Sequence, residues 1–329
     1  MKAYIKGLSF YLPEKVLTNE QLVAEFPEWT VEKVAKKVGV AQRHIAGEYE
    51  TASDMAVEAA EKLFSDYGLD RSKIDFVLLC TQSPDYFLPT TACLIQNRLK
   101  LPTSCGALDF NLGCSGYVYG LSLAKGLIFS GVAKNVLLLT SETYSKYIHP
   151  QDKGNKTIFG DAATATLIST DGAAEIGEFS LGTDGRGAEN LIVRSGGHRH
   201  REVLSSSKEY GPFPDHLYMN GSEVFTFTME AVPSMLEAVL TKNDLSADQI
   251  DLYVFHQANR FMLDTLRTLC HIELERFAYC MEDVGNTVSS TIPIALKRVE
   301  VDSKIAPGSK VLLAGFGVGY SWGACVLQY

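Results

Sequence analysis

The sequence contains no long hydrophobic run and no pattern typical of a secreted protein. Its apolar stretches, such as NVLLLT, end after about the length of one strand, well short of a membrane span. The first residues, MKAYIKGLSFYLPEK, include an early lysine but no apolar core and no small-residue cleavage site. We therefore expect a soluble, cytoplasmic protein that does not insert into a membrane.

The sequence also lacks the cysteine spacing of a disulfide framework or a metal site, and it lacks a phosphate-binding loop. The seven cysteines are an odd number without Cys-x-x-Cys spacing, which suits a reducing compartment better than a disulfide framework or a zinc site. The segment GHRH (197–200) has no further clustered ligands and lies in a polar, arginine-rich stretch. GFGVG (315–319) lacks the Lys-Ser/Thr pair of a phosphate-binding loop. We expect neither a metal nor a bound cofactor.

Positive charge is in the minority, with 30 lysines and arginines against 39 aspartates and glutamates and a net charge of -9. Non-specific binding of nucleic acid requires a basic surface, so this class of function is excluded. An acidic partner would need a local basic patch.

Short apolar segments alternate with amphipathic ones, within a chain that is 46% hydrophobic and long enough for a large buried core. The nearly continuous apolar runs predict strands covered on both faces: 73–82, 106–111, 135–142 and 162–169. Segments 54–68 and 116–131 have helical spacing and end in glycine. The order indicates an α/β fold.

The second half of the chain repeats the first. LDRSKIDFVLLCTQS, from Leu69, aligns with LSADQIDLYVFHQAN, from Leu245, a shift of 176 residues; KNVLLLTSE, with Val136, aligns with SKVLLAGFG, with Val311, a shift of 175. Two segments with nearly the same shift predict two similar α/β halves packed as one body. We place the halves at residues 1–171 and 172–329, joined at TDGA (170–173).

Three polar residues follow predicted strand ends: Cys114, His256 and Asn286. The same shift puts CGALDFN (105–111) opposite CMEDVGN (280–286). Ligands of open α/β sheets bind beyond the carboxyl ends of the strands, so these residues are candidates for one site. Each also has a structural explanation: a buried thiol, a hydrogen-bonded core histidine, and an asparagine in a turn.

Cys114 lies where a strand gives way to a helix. The free N–H groups and the dipole at a helix N-terminus favour a thiolate, so this position suits a nucleophile better than a random one.

Five motifs give the chain a family resemblance: DFNLGCSGYVYGL, FGDAATATLI, VFHQAN, VGNTVSSTIPIAL and GFGVGYSWGACVL. In this order and spacing they resemble the 3-oxoacyl-acyl-carrier-protein synthase III enzymes of the thiolase superfamily. The resemblance extends from GLSFYLPEKVLTNEQL to the last residue. It implies a duplicated five-layered α/β/α/β/α sandwich and a homodimer.

The resemblance also implies residue roles in a condensing acyltransferase. Cys114 would take an acyl group from a thioester, and His256 and Asn286 would handle a malonyl thioester on acyl carrier protein. The backbone N–H groups of Cys114 and Val318 would form the oxyanion hole. Val318 stands where the family usually has glycine, so its geometry is in question because valine disfavours positive φ. Phe316 would be the aromatic residue beside the thiol.

Further residues are implied in substrate binding. Trp29, Lys37 and Lys153 align with the positions that contact the nucleotide of acyl-CoA, where lysines replace the family's arginines; a solvated surface is the alternative. Lysine supplies charge but no planar stacking surface. Asn259 and Arg260 follow the VFHQ segment, at the start of the helix that docks carrier protein in the family.

Leu88, in PDYFLPTTAC, would close the acyl pocket of a second protomer. The family has phenylalanine there for very short primers and smaller residues for longer ones, so leucine predicts a chain a few carbons longer than acetyl. Phe87 or Tyr86 could close the pocket instead, with Leu88 packed in the interface.

The resulting expectation is decarboxylative condensation, either in fatty-acid initiation or in a specialised pathway. One alternative is an acyltransferase of the same fold that does not decarboxylate. The other is a catalytically silent subunit of a heterodimer. Retention of all three candidate residues favours condensation.

Overall fold

The computed structural model describes residues 2–202, 204–206 and 212–329. Its strands are β1 (Tyr4–Tyr11), β2 (Val16–Thr18), β3 (Gln42–His44), β4 (Phe76–Cys80), β5 (Gly106–Phe110), β6 (Asn135–Glu142), β7 (Ala162–Ser169), β8 (Ala174–Thr183), β9 (Leu191–Val193), β10 (Leu217–Met219), β11 (Leu252–Phe255), β12 (Lys310–Gly317) and β13 (Ser321–Gln328). Its helices are α1 (Asn19–Glu25), α2 (Val31–Val38), α3 (Ala52–Tyr67), α4 (Thr91–Arg98), α5 (Gly116–Phe129), α6 (Lys153–Lys156), α7 (Gly221–Lys242), α8 (Arg260–Leu269) and α9 (Thr291–Val301).

Nine of these strands form one mixed sheet in the order β11-β12-β13-β8-β1-β7-β6-β4-β5. The sheet has two parts. The first contains five strands, β5, β4, β6, β7 and β1, and the second contains four, β8, β13, β12 and β11. Within the described residues, two residue pairs join the parts, Tyr4 with Glu175 and Ile5 with Ala174. The predicted boundary after residue 171 falls between β7 and β8 and stays a prediction.

The strand pairing reproduces the internal repeat. Phe76 of β4 lies opposite Val136 of β6 in a parallel pair, and Leu252 of β11 lies opposite Val311 of β12 in another. In both parts the next strand is antiparallel, β7 in the first and β13 in the second. The shifts of 176 and 175 residues therefore correspond to equivalent strands.

The expected alignment of 105–111 with 280–286 is wrong. In the first part, Val77 of β4 pairs with Ala107 of β5. The equivalent residue of β11, Tyr253, forms its parallel bridge with Phe277 instead. The chain between the two paired residues is therefore shorter in the second half, and a constant shift fails there.

Helices cover and separate the two parts of the sheet. α3 and α4 pack on the outer face of the first part, and α7 packs on the outer face of the second, with α8 against it. Between the parts lie α5, which contacts both β6 and β12, and α9, which contacts both β7 and β11. Three hydrophobic clusters fill the spaces between layers. This is the expected five-layered sandwich.

One helix in the described ranges, α7, is long and apolar enough to cross a membrane by length and composition alone. The expectation that no stretch reaches that length is therefore wrong. The apolar side of α7, which includes Val224, Phe227 and Met235, is buried. The helix packs against β8 and β13, as the core helix of a globular protein does.

Candidate active site

The structure brings Cys114, His256 and Asn286 together around one small cavity of about 50 Å³. Cys114 lies between the end of β5 and the start of α5, and His256 directly follows β11. Asn286 lies in the turn before α9, where its backbone pairs with that of Phe159. The two halves of the chain thus contribute to a single site.

Glycines of β12 allow this close approach. A side chain at Gly317 would place its Cβ 2.7 Å from the Cys114 sulfur, and one at Gly315 would place it 2.7 Å from the Ser115 backbone. Between them, the buried ring of Phe316 stands perpendicular to the His256 ring, with centroids 5.7 Å apart. Phe316 lines the same cavity as Cys114.

Two opposing effects act on the Cys114 thiol. Burial raises its pKa to about 12, while the backbone N–H groups of Val318 and Cys114 itself act to lower it. The predicted preference for the thiolate is therefore outweighed by loss of hydration. The two N–H groups that face the sulfur are those expected to form an oxyanion hole.

Val318 occupies its position without an unfavourable backbone conformation. In the described part of the chain, Val318 is not among the non-glycine residues with positive φ. Such a conformation occurs instead at Val288, with φ of 55°, two residues after Asn286. The Val288 N–H donates to Asn286 Oδ1 at 2.9 Å, which leaves the Asn286 Nδ2 group directed toward the histidine. A β-branched residue in this region costs about 1–3 kcal/mol, which the surrounding packing must offset.

His256 is held as a neutral imidazole. The residue is 2% exposed, and burial lowers the pKa of its imidazole to about 3. Its Nδ1 lies 2.7 Å from the Thr291 hydroxyl, and its Nε2 lies 3.5 Å from Asn286 Nδ2. The Nε2 and Nδ2 atoms therefore form an adjacent pair of nitrogens beside the cavity.

A buried carboxyl group lies behind the site. Glu142, at the end of β6, accepts hydrogen bonds from the Gln82 N–H, the Ser83 hydroxyl and the Ser289 hydroxyl. Burial raises its pKa to about 8, so it is mainly protonated at neutral pH. Its charge when ionised acts to raise the pKa of Cys114.

A larger outer cavity of about 410 Å³ leads toward the site. Trp29, Lys37 and Lys153 all line it, so Lys153 meets two residues more than a hundred positions before it in the sequence. The Lys153 ammonium group is paired with Glu28, the neighbour of Trp29. Ile158 and Met219 line both this cavity and the one at Cys114.

A third cavity, which we call the inner chamber, has a volume of about 700 Å³. Its wall includes Gln82, Asn111, Tyr144, Tyr147 and Val318. Leu191 lines both the inner chamber and the cavity at Cys114. The three cavities are thus adjacent, with the thiol between the outer cavity and the inner chamber.

The remaining predicted residues have different surroundings. Asn259 lines the cavity at Cys114 and accepts the Met262 N–H at the start of α8. Arg260 lies outside it, half-exposed and paired with Asp264. Leu88 is 83% exposed and lines none of these three cavities of its own chain. Its contact with a second protomer stays a prediction.

Sequence analysis missed four residues of the site: Gln82, Glu142, Tyr144 and Thr291. Glu142 carried a usable signal, because it ends the apolar run NVLLLTSE, in which a carboxyl group is unexpected. No local pattern distinguishes the other three, whose partners lie far away in sequence.

Comparisons with known proteins agree along the whole chain. Residues 108–185 match the family described as 3-oxoacyl-[acyl-carrier-protein (ACP)] synthase III, and residues 240–329 match its C-terminal part. The β-ketoacyl-[acyl-carrier-protein] synthase III of Campylobacter concisus is 35% identical over 100% of this chain and 97% of its own. That of Clostridium perfringens is 33% identical over 98% of both chains.

Solved structures show the same relationship. A 3-oxoacyl-(acyl-carrier-protein) synthase III crystal structure superimposes with a TM-score of 0.96 at 47% identity and covers 100% of both chains. The 3-oxoacyl-(acyl-carrier protein) synthase of Burkholderia xenovorans LB400 gives a TM-score of 0.93 at 38% identity, over 99% of this chain and 94% of its own.

Proposed function

The chain belongs to the 3-oxoacyl-[acyl-carrier-protein] synthase III family and is a condensing acyltransferase of this type, and we propose that Cys114, His256 and Asn286 carry out its reaction. Cys114 accepts an acyl group from a thioester. His256 and Asn286 then promote decarboxylation of a malonyl thioester. The observation that supports this division is the position of the thiol between two cavities, beside a pair of side-chain nitrogens.

In the first step, the Cys114 sulfur attacks the carbonyl carbon of the acyl thioester. The carbonyl oxygen becomes negatively charged and accepts hydrogen bonds from the Cys114 and Val318 N–H groups, which already face the sulfur. The bond to the leaving thiol then breaks. The proton lost by Cys114 ends on that thiol, so charge is balanced and no cofactor is needed.

In the second step, a malonyl thioester on acyl carrier protein loses carbon dioxide. Negative charge develops on the thioester oxygen as the enolate forms, and N–H donors from His256 Nε2 and Asn286 Nδ2 stabilise it. A neutral histidine suits this role, because it donates a hydrogen bond without transferring a proton. The enolate carbon attacks the acyl-cysteine, releases the Cys114 sulfur and gives a 3-oxoacyl thioester.

The outer cavity fits the carrier of the acyl group. Trp29 offers an apolar surface, while Lys37 and Lys153 offer charge for a phosphate. The Glu28–Lys153 pair reduces the positive charge available to a phosphate. The principal ligand of this cavity is therefore the long pantetheine arm of the carrier rather than a phosphate group. We further propose that the protein is a cytoplasmic homodimer in which Leu88 of each protomer closes the chamber of the other.

Single substitutions at the three residues separate the two steps. Cys114→Ala should abolish the acyl adduct that intact-mass spectrometry detects after incubation with an acyl-CoA. His256→Ala and Asn286→Ala should retain substantial adduct formation but release carbon dioxide from malonyl-acyl carrier protein about 10²-fold more slowly, because each removes a donor to the enolate.

The assignment would be overturned by an Asn286→Ala enzyme that condenses at nearly the wild-type rate. Absence of an adduct on the wild-type chain with every acyl thioester tested would instead favour a silent subunit.

A further inference from the structure

The inner chamber has a polar side that the condensation reaction does not use. The Tyr144 hydroxyl donates to Gln82 Oε1 at 2.9 Å, and Gln82 Nε2 donates to Asn111 Oδ1 at 3.0 Å. The Tyr147 hydroxyl donates to the Gln82 backbone carbonyl at 2.7 Å. All four residues line the chamber, and we call them the polar wall.

The polar wall lies close to the reacting sulfur. A Cβ at Gly113, the neighbour of Cys114, would be 2.6 Å from Gln82 Oε1 and 2.5 Å from the Val318 side chain. Tyr144 is 4% exposed and packs its ring against Phe159, which lines the cavity at Cys114. An acyl group on Cys114 that extends into the chamber therefore passes these side chains.

Hydrogen-bonding capacity remains at the polar wall. The bonds above orient the Gln82 amide, with its oxygen toward Tyr144 and its nitrogen toward Asn111. Within the described residues, the second Nε2 hydrogen of Gln82, the Asn111 Nδ2 group and the Tyr144 oxygen lone pairs have no further side-chain or backbone partner. The wall thus offers both donors and an acceptor to whatever fills the chamber.

We propose that the preferred primer is a short acyl thioester whose chain carries an oxygen, as a hydroxyl or a carbonyl group, that hydrogen-bonds to Tyr144 and Gln82. This inference rests on the proposed function, since it concerns the acyl group that Cys114 accepts. A hydroxyl group can donate to the Tyr144 oxygen and accept from the Gln82 amide. The remaining wall, with Leu191, Val193 and Phe87, suits the carbon chain.

A plain alkyl chain is disfavoured for a physical reason. It would displace water from the buried Tyr144 hydroxyl and the partly buried Gln82 amide without replacing the lost hydrogen bonds, and polar groups buried without partners destabilise the complex. A site built to hydrogen-bond a substrate oxygen therefore rejects the analogue that lacks it, whereas a purely apolar pocket cannot strongly reject an added hydroxyl. The polar wall makes oxygen content a determinant of primer choice, separate from chain length.

The test compares acyl groups of equal length on the full-length protein. Loading of Cys114 is followed by intact-mass spectrometry in single-turnover mixtures with butanoyl-CoA, each enantiomer of 3-hydroxybutanoyl-CoA, and 4-hydroxybutanoyl-CoA. We expect the best hydroxyacyl thioester to load at least about tenfold faster than butanoyl-CoA.

Two substitutions remove the wall's polar groups while keeping its shape. Tyr144→Phe deletes one hydroxyl, and Gln82→Met replaces the amide with an apolar chain of similar length. Each should lower the hydroxyacyl-to-butanoyl rate ratio about tenfold, through slower hydroxyacyl loading and faster butanoyl loading. The matched control is Tyr119→Phe, which removes a hydroxyl bonded to the Gly182 carbonyl, outside the chamber lining, and should keep the wild-type ratio.

The outcomes separate the two proposals. A wild-type ratio within about threefold of unity, or a ratio that neither substitution changes, overturns the polar-primer inference while leaving the proposed function intact. Absence of any adduct on Cys114 with all four thioesters overturns the proposed function itself. If one variant fails to fold, as judged by its thermal unfolding, the other still decides the result.

Discussion

Individual side chains in this site behave according to their burial. Removal of water raises the pKa of the Cys114 thiol to about 12 and lowers that of the His256 imidazole to about 3. Both groups are therefore neutral near pH 7, and the site holds no fixed charge at the point of reaction. Oriented N–H groups can then respond to the charge that develops during each step.

Thr291 should position His256 for its role. The Thr291 hydroxyl lies 2.7 Å from Nδ1 and 3.0 Å from the Val288 carbonyl oxygen, and its single hydrogen can go to only one of them. For Nε2 to carry a hydrogen, Nδ1 must accept one, so the reaction requires the Thr291 hydroxyl to donate to Nδ1. Thr291→Val keeps the shape but removes this donor, so carbon dioxide release from malonyl-acyl carrier protein should fall about 10- to 100-fold. Acyl loading of Cys114 should change little.

Thr291→Ser serves as the control for this substitution, because it keeps the hydroxyl and should restore decarboxylation. Wild-type decarboxylation in Thr291→Val, or failure of the serine variant to recover it, would show that another group sets the histidine tautomer.

Glu142 should make the folded state less stable as the pH rises. Its pKa is about 8 in the folded protein against an ordinary value of 4.5, so between these pH values the folded state holds a proton that the unfolded chain has released. Stability therefore falls with rising pH across this window, by at most about 1.4 kcal/mol per pH unit. Measurement from pH 6.5 to 8 avoids Asp161, whose pKa burial raises only to about 6.

Glu142→Gln should remove the contribution of Glu142 to this slope, so that stability in urea unfolding curves falls less with pH across the same range than in the wild type. It should also lower stability at pH 6.5, because an amide cannot accept all the hydrogen bonds that Gln82, Ser83 and Ser289 donate. Glu237→Gln, on the exposed side of α7, controls for loss of one carboxyl group. An unchanged slope in Glu142→Gln would contradict the titration of a buried carboxyl group.

At the scale of elements, the site depends on contact between a strand of one half and a helix start of the other. β12 approaches the beginning of α5 so closely that Gly315 and Gly317 have no room for a side chain. The contact brings the Val318 N–H to the Cys114 sulfur. Glycine is needed here for close approach, since neither residue has a positive φ.

Gly315→Ala should disturb this contact. Its Cβ would lie 2.7 Å from the Ser115 Cα and 2.8 Å from the Cys114 carbonyl oxygen, both of which are backbone atoms. Overpacking of this kind costs about 1–3 kcal/mol, so the free energy of unfolding should fall by that amount and acyl loading should slow.

The control is Gly126→Ala, at an exposed position of α5 with open space around its Cβ. It should raise stability by about 0.4–1 kcal/mol, because alanine has less backbone freedom in the unfolded chain. Equal effects of the two substitutions in denaturant titrations would argue against a close β12–α5 contact.

At the scale of the whole molecule, one edge of the sheet is incomplete. β5 is the outermost strand of the first part and, in the part of the chain that the structure describes, pairs on one side only, with β4. Leu108 in the middle of β5 is 48% exposed, and Phe87 and Leu88 in the loop after β4 are more than 80% exposed. An unpaired strand beside exposed apolar side chains is typical of an interface.

The protein should therefore be a dimer with β5 at its centre. Light scattering at micromolar concentration should give twice the chain mass of 36.1 kDa. Leu108→Asp should shift the protein toward the monomer, because it places a charge in the apolar interface. It should also impair acyl loading, because Leu88 would no longer close the chamber of a second copy. Leu274→Asp, at an exposed leucine of the second half, is the control. An active, monomeric wild-type protein would contradict this assembly.

The local sequence pattern was sufficient to predict the strands and helices and the internal duplication of the chain. β6 and β7 begin and end where their apolar runs predict, since strands buried on both faces need nearly continuous apolar residues. The shifts of 176 and 175 residues identified the equivalent strands, because these strands too are nearly continuous apolar runs that align with each other. Motifs around Cys114, His256 and Asn286 indicated the family, and their spacing relative to strand ends placed them in one site.

Only the tertiary structure decided what surrounds these residues. On the side of β11 away from β12, the pairing residue is Phe277, because the connecting chain is shorter than in the first half. The spacing of apolar residues in a sequence does not give the length of a loop. The bonds from Tyr144 to Gln82 and from Thr291 to His256 join side chains 62 and 35 residues apart. Such pairs, and the burial that raises the pKa of Cys114, depend on how strands and helices stack rather than on neighbouring residues. Sequence thus determined the elements and the candidate reacting groups, whereas packing determined the protonation of those groups and the shape and polarity of the cavities around them.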